Sequence, residues 1–146
     1  MIKSIEAEIN NLHIGQKAEF LEIISESRVQ EFAKLSGDFN PHHMDEEYAK
    51  KTKYEKRICH GMLLASFFSK LTAMYLPGQG SFYLSQTLNF VSPAFINDEV
   101  TVRGEITKIS SSTGIVRVKT QIINKNNVLL VNEIAPRPHN SGHLTI

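Results

Sequence analysis

The chain is short of cysteine, of net charge and of long apolar runs, and each shortage excludes something. Cys59 is the only cysteine, so an internal disulfide and a cysteine-rich metal site are ruled out. Sixteen basic residues against fifteen acidic ones leave a formal charge of +1, with no basic stripe or acidic tail. Charge therefore points to neither nucleic acid nor an anionic membrane as partner. No uninterrupted apolar run reaches the ~20 residues of a membrane span. The opening stretch Met1-Ile-Lys-Ser-Ile-Glu6 is not apolar enough for a signal peptide, and a cytoplasmic location is expected. No internal repeat or low-complexity segment interrupts the chain.

What is present fits one globular unit. A length of 146 residues supports one domain and one core, spanning 1–146, with a loose tail expected from about residue 136. Lys17 to Ile24 reads as a strand. Ser25 or Ser27 can cap a helix, and Ser27 with Gln30 fits a capping box. Val29, Phe32 and Ala33 fall on one face of that helix, and Gly37 is placed to end it in a left-handed cap. Asp45 can cap a second short helix running to Lys51. Gly61 to Tyr75 is apolar on nearly every face, so it reads as a helix enclosed on most sides. The rest alternates with period two: Phe82 to Phe90, Glu99 to Ile109, Ile115 to Ile123 and Val128 to Ala135 read as strands. One enclosed helix with antiparallel strands after it and a strand before it implies an α+β fold. It is a sheet curled around a central helix, the hot-dog architecture.

The chemistry concentrates in Ser36-Gly-Asp-Phe-Asn-Pro-His-His43, expected to be a non-helical loop because proline pushes Asn40 into an extended conformation. One carboxylate and two imidazoles stand within six residues there. A carboxylate and an imidazole on a rigid loop can share one water, the minimum for general acid–base work. Taken alone, Asp38 would be read as a turn cap and His43 as an ordinary histidine. Gly61 would open the central helix, where unpaired N–H groups and the helix dipole can polarise a carbonyl oxygen. A metal site at His42, His43 and Asp45 is conceivable by composition, but neighbouring histidines point apart and no metal is expected. Cys59 reads as a small buried residue. Ser69 reads as a helix serine bonded back to a carbonyl.

Three blocks, in order, carry a resemblance to a known family: Phe32-Ala-Lys-Leu-Ser-Gly-Asp-Phe-Asn-Pro-His-His43 with Ala49 after it, His60-Gly-Met-Leu-Leu-Ala-Ser-Phe-Phe-Ser69, and Leu76-Pro-Gly-Gln-Gly-Ser-Phe-Tyr-Leu84. Together they resemble the MaoC-like hydratases, in particular the single-domain (R)-specific enoyl-CoA hydratases of polyhydroxyalkanoate metabolism. The resemblance implies reversible hydration of a trans-2-enoyl-CoA to an (R)-3-hydroxyacyl-CoA. It implies Asp38 and His43 as the catalytic pair, Gly61 as donor to the thioester oxygen, and Ser69 with Asn40 on the substrate side. Asn40 reads more readily as the residue that holds the loop. Sequence does not settle which of the pair takes the proton. Asp38 is favoured as base, with His43 orienting the water or returning the proton to the α-carbon. No cofactor is implied beyond the coenzyme A of the substrate, and a homodimer is. His42 departs from the family pattern, which has an aliphatic residue there, and is expected outside the pair. A hot-dog thioesterase and a non-catalytic acyl-CoA-binding subunit are the competing readings. The loop signature disfavours the first and the intact pair disfavours the second.

Overall fold

A computed structural model describes residues 8–133. A short 3-10 turn, Ile9–Asn11, leads into strand β1 (Lys17–Ile23) and helix α1 (Glu26–Ser36). Two single-turn helices follow, α2 (Pro41–Met44) and α3 (Glu46–Ala49), then the central helix α4 (Gly61–Met74). Strands β2 (Asn89–Phe90), β3 (Glu99–Ser110), β4 (Ile115–Asn124) and β5 (Leu129–Asn132) complete one antiparallel sheet in the order β1-β3-β4-β5-β2. Among the described residues no helix is long and apolar enough to cross a membrane.

The sheet closes on α4 because its strands alternate. Val100, Val102 and Ile106 of β3 and Val116, Val118 and Ile122 of β4 are buried, and the residues between them look outward. Phe67, Phe68 and Leu71 of α4 pack with Val100, Val102, Ile122 and Leu130 in the main core. Gly104 lets helix and sheet come this close. A Cβ there would lie 2.9 Å from Val118 Cγ1 and 3.0 Å from Leu71 Cδ2. The enclosure is incomplete: Met62, Ser66, Ser69 and Ala73, at helical spacing, form an exposed face of α4.

Glu22 of β1 fastens both long helices. It is buried, accepts from Lys70 of α4 at 2.6 Å, and pairs with Arg28 of α1. Burial pushes its carboxyl up, but the hydrogen bonds from Lys70 and Arg28 prevail and hold it below the usual carboxylate range.

Three expectations are corrected. Of the two candidate caps Ser25 serves α1, its Oγ accepting from the Arg28 amide at 3.3 Å, and the Ser27–Gln30 capping box fails because Ser27 lies inside the helix. The loop after α1 contains a helical turn, described below. The strand expected over 82–90 shrinks to Asn89–Phe90. Its register pairs Asn89 with Asn132, and the continuation would set 82–87 against 134–139, outside the described residues. The strand end expected at Ala135 and the tail from 136 fall outside them too.

Gly104→Val should lower stability by on the order of 2 kcal/mol in urea unfolding, because the added methyls overpack the contact between Val118 and Leu71. An unchanged unfolding midpoint would show that the approach of sheet to helix is slack.

Candidate active site

The acidic loop is built by local hydrogen bonds. Gly37 ends α1 in the left-handed conformation at φ 78°, and its N–H donates to Ala33 O at 2.8 Å. Asp38 Oδ1 accepts from the Asn40 amide at 3.1 Å, and Asn40 Oδ1 accepts from the His42 amide at 3.1 Å. Asn40 is thus the N-cap of α2, with Pro41 at its first helical position. The sequence expectation of a wholly non-helical segment fails here. Proline forbids helix to the residue before it but is well suited to open one itself. His42 and His43 therefore sit on a helical turn, about 100° apart around its axis. The His42 ring meets Tyr48 edge-on at 5.0 Å, and the two side chains part because of the helical turn and not, as expected, along an extended segment.

His43 is oriented by its own backbone contact. Its Nδ1 lies 2.8 Å from the carbonyl oxygen of Ile58. A carbonyl can only accept, so Nδ1 carries the hydrogen and Nε2 of the neutral ring keeps the lone pair. That Nε2 is 3.9 Å from Asp38 Oδ2. The gap is too long for a direct hydrogen bond, yet one water can reach both atoms. Burial lowers the affinity of His43 for a second proton, and the neighbouring His60 and His42 act the same way. The Ile58 carbonyl and Asp38 oppose them without prevailing. The site thus presents two acceptors to the same point. Asp38 is about half exposed and His43 largely covered.

Gly61 begins α4 directly after His60, the N-cap residue. The Leu63 and Leu64 amides both donate to the His60 carbonyl, at 3.1 and 3.3 Å. Among the described residues, the donors left at the helix tip are the amides of Gly61 and Met62. A Cβ at Gly61 would meet the Phe90 ring at 3.0 Å, so only glycine leaves this tip open. His43, Tyr54, Gly61, Leu64 and Phe90 share the wall of one cavity of about 250 Å³. Cys59 lines it too, but burial pushes its thiol up to about 12, which removes it as a nucleophile.

The structure thus brings His43 and the tip at Gly61 to one cavity, with Asp38 3.9 Å from His43 but not among the residues that line it. Asn40 braces the loop. Ser69 lies on the exposed face of α4, away from the lining of this cavity, and the serine bonded back to a carbonyl is Ser66, to Leu63 at 2.6 Å. One residue at the site was missed by sequence reasoning. His60 is 1% exposed, donates through Nε2 to the Asp38 carbonyl at 2.9 Å, and lies ring to ring with His43 at 4.0 Å. The available signal was its place beside Gly61 at the head of an apolar helix. Asp38, His43 and His60 also offer donor atoms within 4.8 Å of one another, a spacing compatible with a metal ion. His60 commits its Nε2–H to a backbone carbonyl, however, and so offers no lone pair from that atom.

Comparison with known proteins agrees over most of the chain. The family described as MaoC like domain matches residues 10–128. The (R)-specific enoyl-CoA hydratase of Aeromonas caviae is 44% identical over 121 residues, 83% of this chain and 90% of that one. The enzyme of the same name from Rhodospirillum rubrum is 42% identical over 106 residues, covering 73% and 74%. An R-hydratase structure from Pseudomonas aeruginosa superimposes with a TM-score of 0.84 at 33% identity, over 95% of this chain and 97% of that chain.

The covered, neutral state of His43 can be measured directly. In a proton NMR titration its ring should protonate with a midpoint below the ordinary 6.5. Because protonation fills the Nε2 lone pair, any activity that needs this acceptor should fall as pH drops through that midpoint. A midpoint at or above 6.5 would contradict the environment described.

Proposed function

The chain belongs to the MaoC-like domain family, and we propose that it adds water reversibly to a trans-2-enoyl-CoA to give the (R)-3-hydroxyacyl-CoA. The observation that carries this reading is the pair of acceptors, Asp38 Oδ2 and His43 Nε2, 3.9 Å apart, with His43 lining the same cavity as the open tip of α4. A water between them donates one hydrogen to each and turns its oxygen lone pairs outward, toward the β-carbon. The thioester oxygen accepts the Gly61 N–H, which stabilises negative charge as it develops there. Asp38 takes one proton of the water and His43 holds the other, which stays in the product hydroxyl. The proton on Asp38 is then available to the α-carbon, so the atoms of one water are fully placed. The fixed tautomer favours His43 as the orienting group, because it can return a proton only after gaining one.

On this account the demands of the reaction are met by a base, an acceptor and a backbone donor, without a cofactor beyond the CoA of the substrate. Asn40 serves by holding the loop. We place Ser69 on a pocket wall that a second copy of the chain completes, in a homodimer. Two observations support that assembly: the open face of α4, and the exposed apolar run Phe82, Leu84, Phe90 and Val91 beside the sheet edge. Action in the cytoplasm belongs to the same proposal, and the buried free thiol of Cys59 suits a reducing compartment.

The test is hydration of enoyl-CoA with the product's chirality determined. The wild type should form the (R)-alcohol without releasing free thiol; thiol release without hydration would favour a thioesterase. Asp38→Asn and His43→Gln should each lower kcat by about 10²–10⁴-fold with the fold intact. Near-normal rates in both would remove the pair from the mechanism. Prolonged treatment with a chelator should leave turnover unchanged, and a loss restored by one divalent ion would overturn the metal-free reading.

A further inference from the structure

We propose that His60 is the positioning residue of this site: its ring clamps the Asp38 backbone and the His43 ring to the head of α4. The two water acceptors and the thioester donor are thereby held at one spacing. This inference rests on the hydratase reading above and assigns a role to a residue outside the acid–base pair.

Little else holds residues 34–40 in place. Residues 34–40 are all exposed, so their side chains contribute no core packing to fix it. Their hydrogen bonds are local, reaching no more than four residues along the chain. Among the described residues, the bond from His60 Nε2 to the Asp38 carbonyl is the one that ties residues 37–40 to a distant part of the chain. Its anchor is firm. His60 is buried, and its own carbonyl is fixed by two amides of the first turn of α4. Its ring also packs against Phe32 of α1, at 5.1 Å.

Packing alone does not account for an imidazole here. His60 Nδ1 is buried without a hydrogen-bond partner among the described residues. Leaving a buried acceptor unpaired is unfavourable. A leucine or phenylalanine would fill the volume without that cost. What an apolar side chain could not do is donate to Asp38. The ring also lies against His43 at 4.0 Å with 33° between the planes, so it limits how far that ring can swing on its Nδ1 bond. Because His60 immediately precedes Gly61, any shift of this clamp changes the distance from acceptors to donor. A displacement near 1 Å suffices to lose about two orders of magnitude in rate.

His60→Phe keeps a ring but removes the donor, and His60→Gln keeps an amide donor but removes the ring. With enoyl-CoA as substrate, His60→Phe should lose about 10²-fold in kcat with little change in KM. Its thermal midpoint should stay near that of the wild type. His60→Gln should recover most of that loss. His60→Leu replaces the phenylalanine variant if the latter does not fold. Wild-type kcat in the folded apolar variant would overturn the proposal. So would a glutamine variant as slow as the apolar one, since restoring the donor to Asp38 would then restore no rate. The wild type run alongside separates the two claims. Absence of hydration there sinks the hydratase reading itself, whereas an active wild type with an unaffected apolar variant sinks only His60.

Discussion

Everything at the site is measured from the head of α4, and that helix can occupy the centre only because the sheet comes close to it at Gly104. A side chain there would have to displace Val118 or Leu71. With the gap closed, Phe68 and Leu71 are fully buried and the helix becomes a fixed rod. Glu22 secures it again by joining Lys70 of α4 and Arg28 of α1 to strand β1. The acid–base loop hangs from the end of α1 and meets the end of α4. Two helices fixed on one sheet thereby set the distance between the water acceptors and the backbone donor.

The chemistry follows from which groups can donate there. The Ile58 carbonyl forces the hydrogen onto His43 Nδ1, and burial keeps the ring neutral. A neutral imidazole nitrogen facing a carboxylate makes a site that accepts twice, which suits a water and poorly suits another carbonyl. The helix tip at Gly61 offers the reverse, donors only. In the proposed hydration, acceptors on one side would take the water and donors on the other the thioester oxygen. The Phe90 ring over Gly61 keeps that meeting place narrow.

Much of this was legible in the sequence for physical reasons. Period-two alternation placed β3 and β4, because strands with one buried face must alternate. The apolar run from Gly61 placed α4, and the Gly37 stop placed the loop. The loop motif set one carboxylate beside two imidazoles, and the family resemblance singled out Asp38 and His43. Other features were hidden because they depend on partners distant in the chain. The helical turn at Pro41 required knowing that Asn40 would cap it. His60 stood at the head of the second family block with no role assigned, until the fold brought it to Asp38, twenty-two positions earlier. The strand expected across 82–90 is described only at Asn89–Phe90, since the register sets the rest against residues outside those described. Ser69 shows a further limit, since an apolar helix does not declare which of its faces stays open.

A crystal structure of the protein with the bound (R)-3-hydroxyacyl-CoA product would show whether this geometry operates. The account requires the product hydroxyl to lie about 3 Å from both Asp38 Oδ2 and His43 Nε2. It also requires the thioester oxygen at a similar distance from the Gly61 amide. A product seated with its hydroxyl away from either acceptor, or its thioester turned from the head of α4, would contradict it.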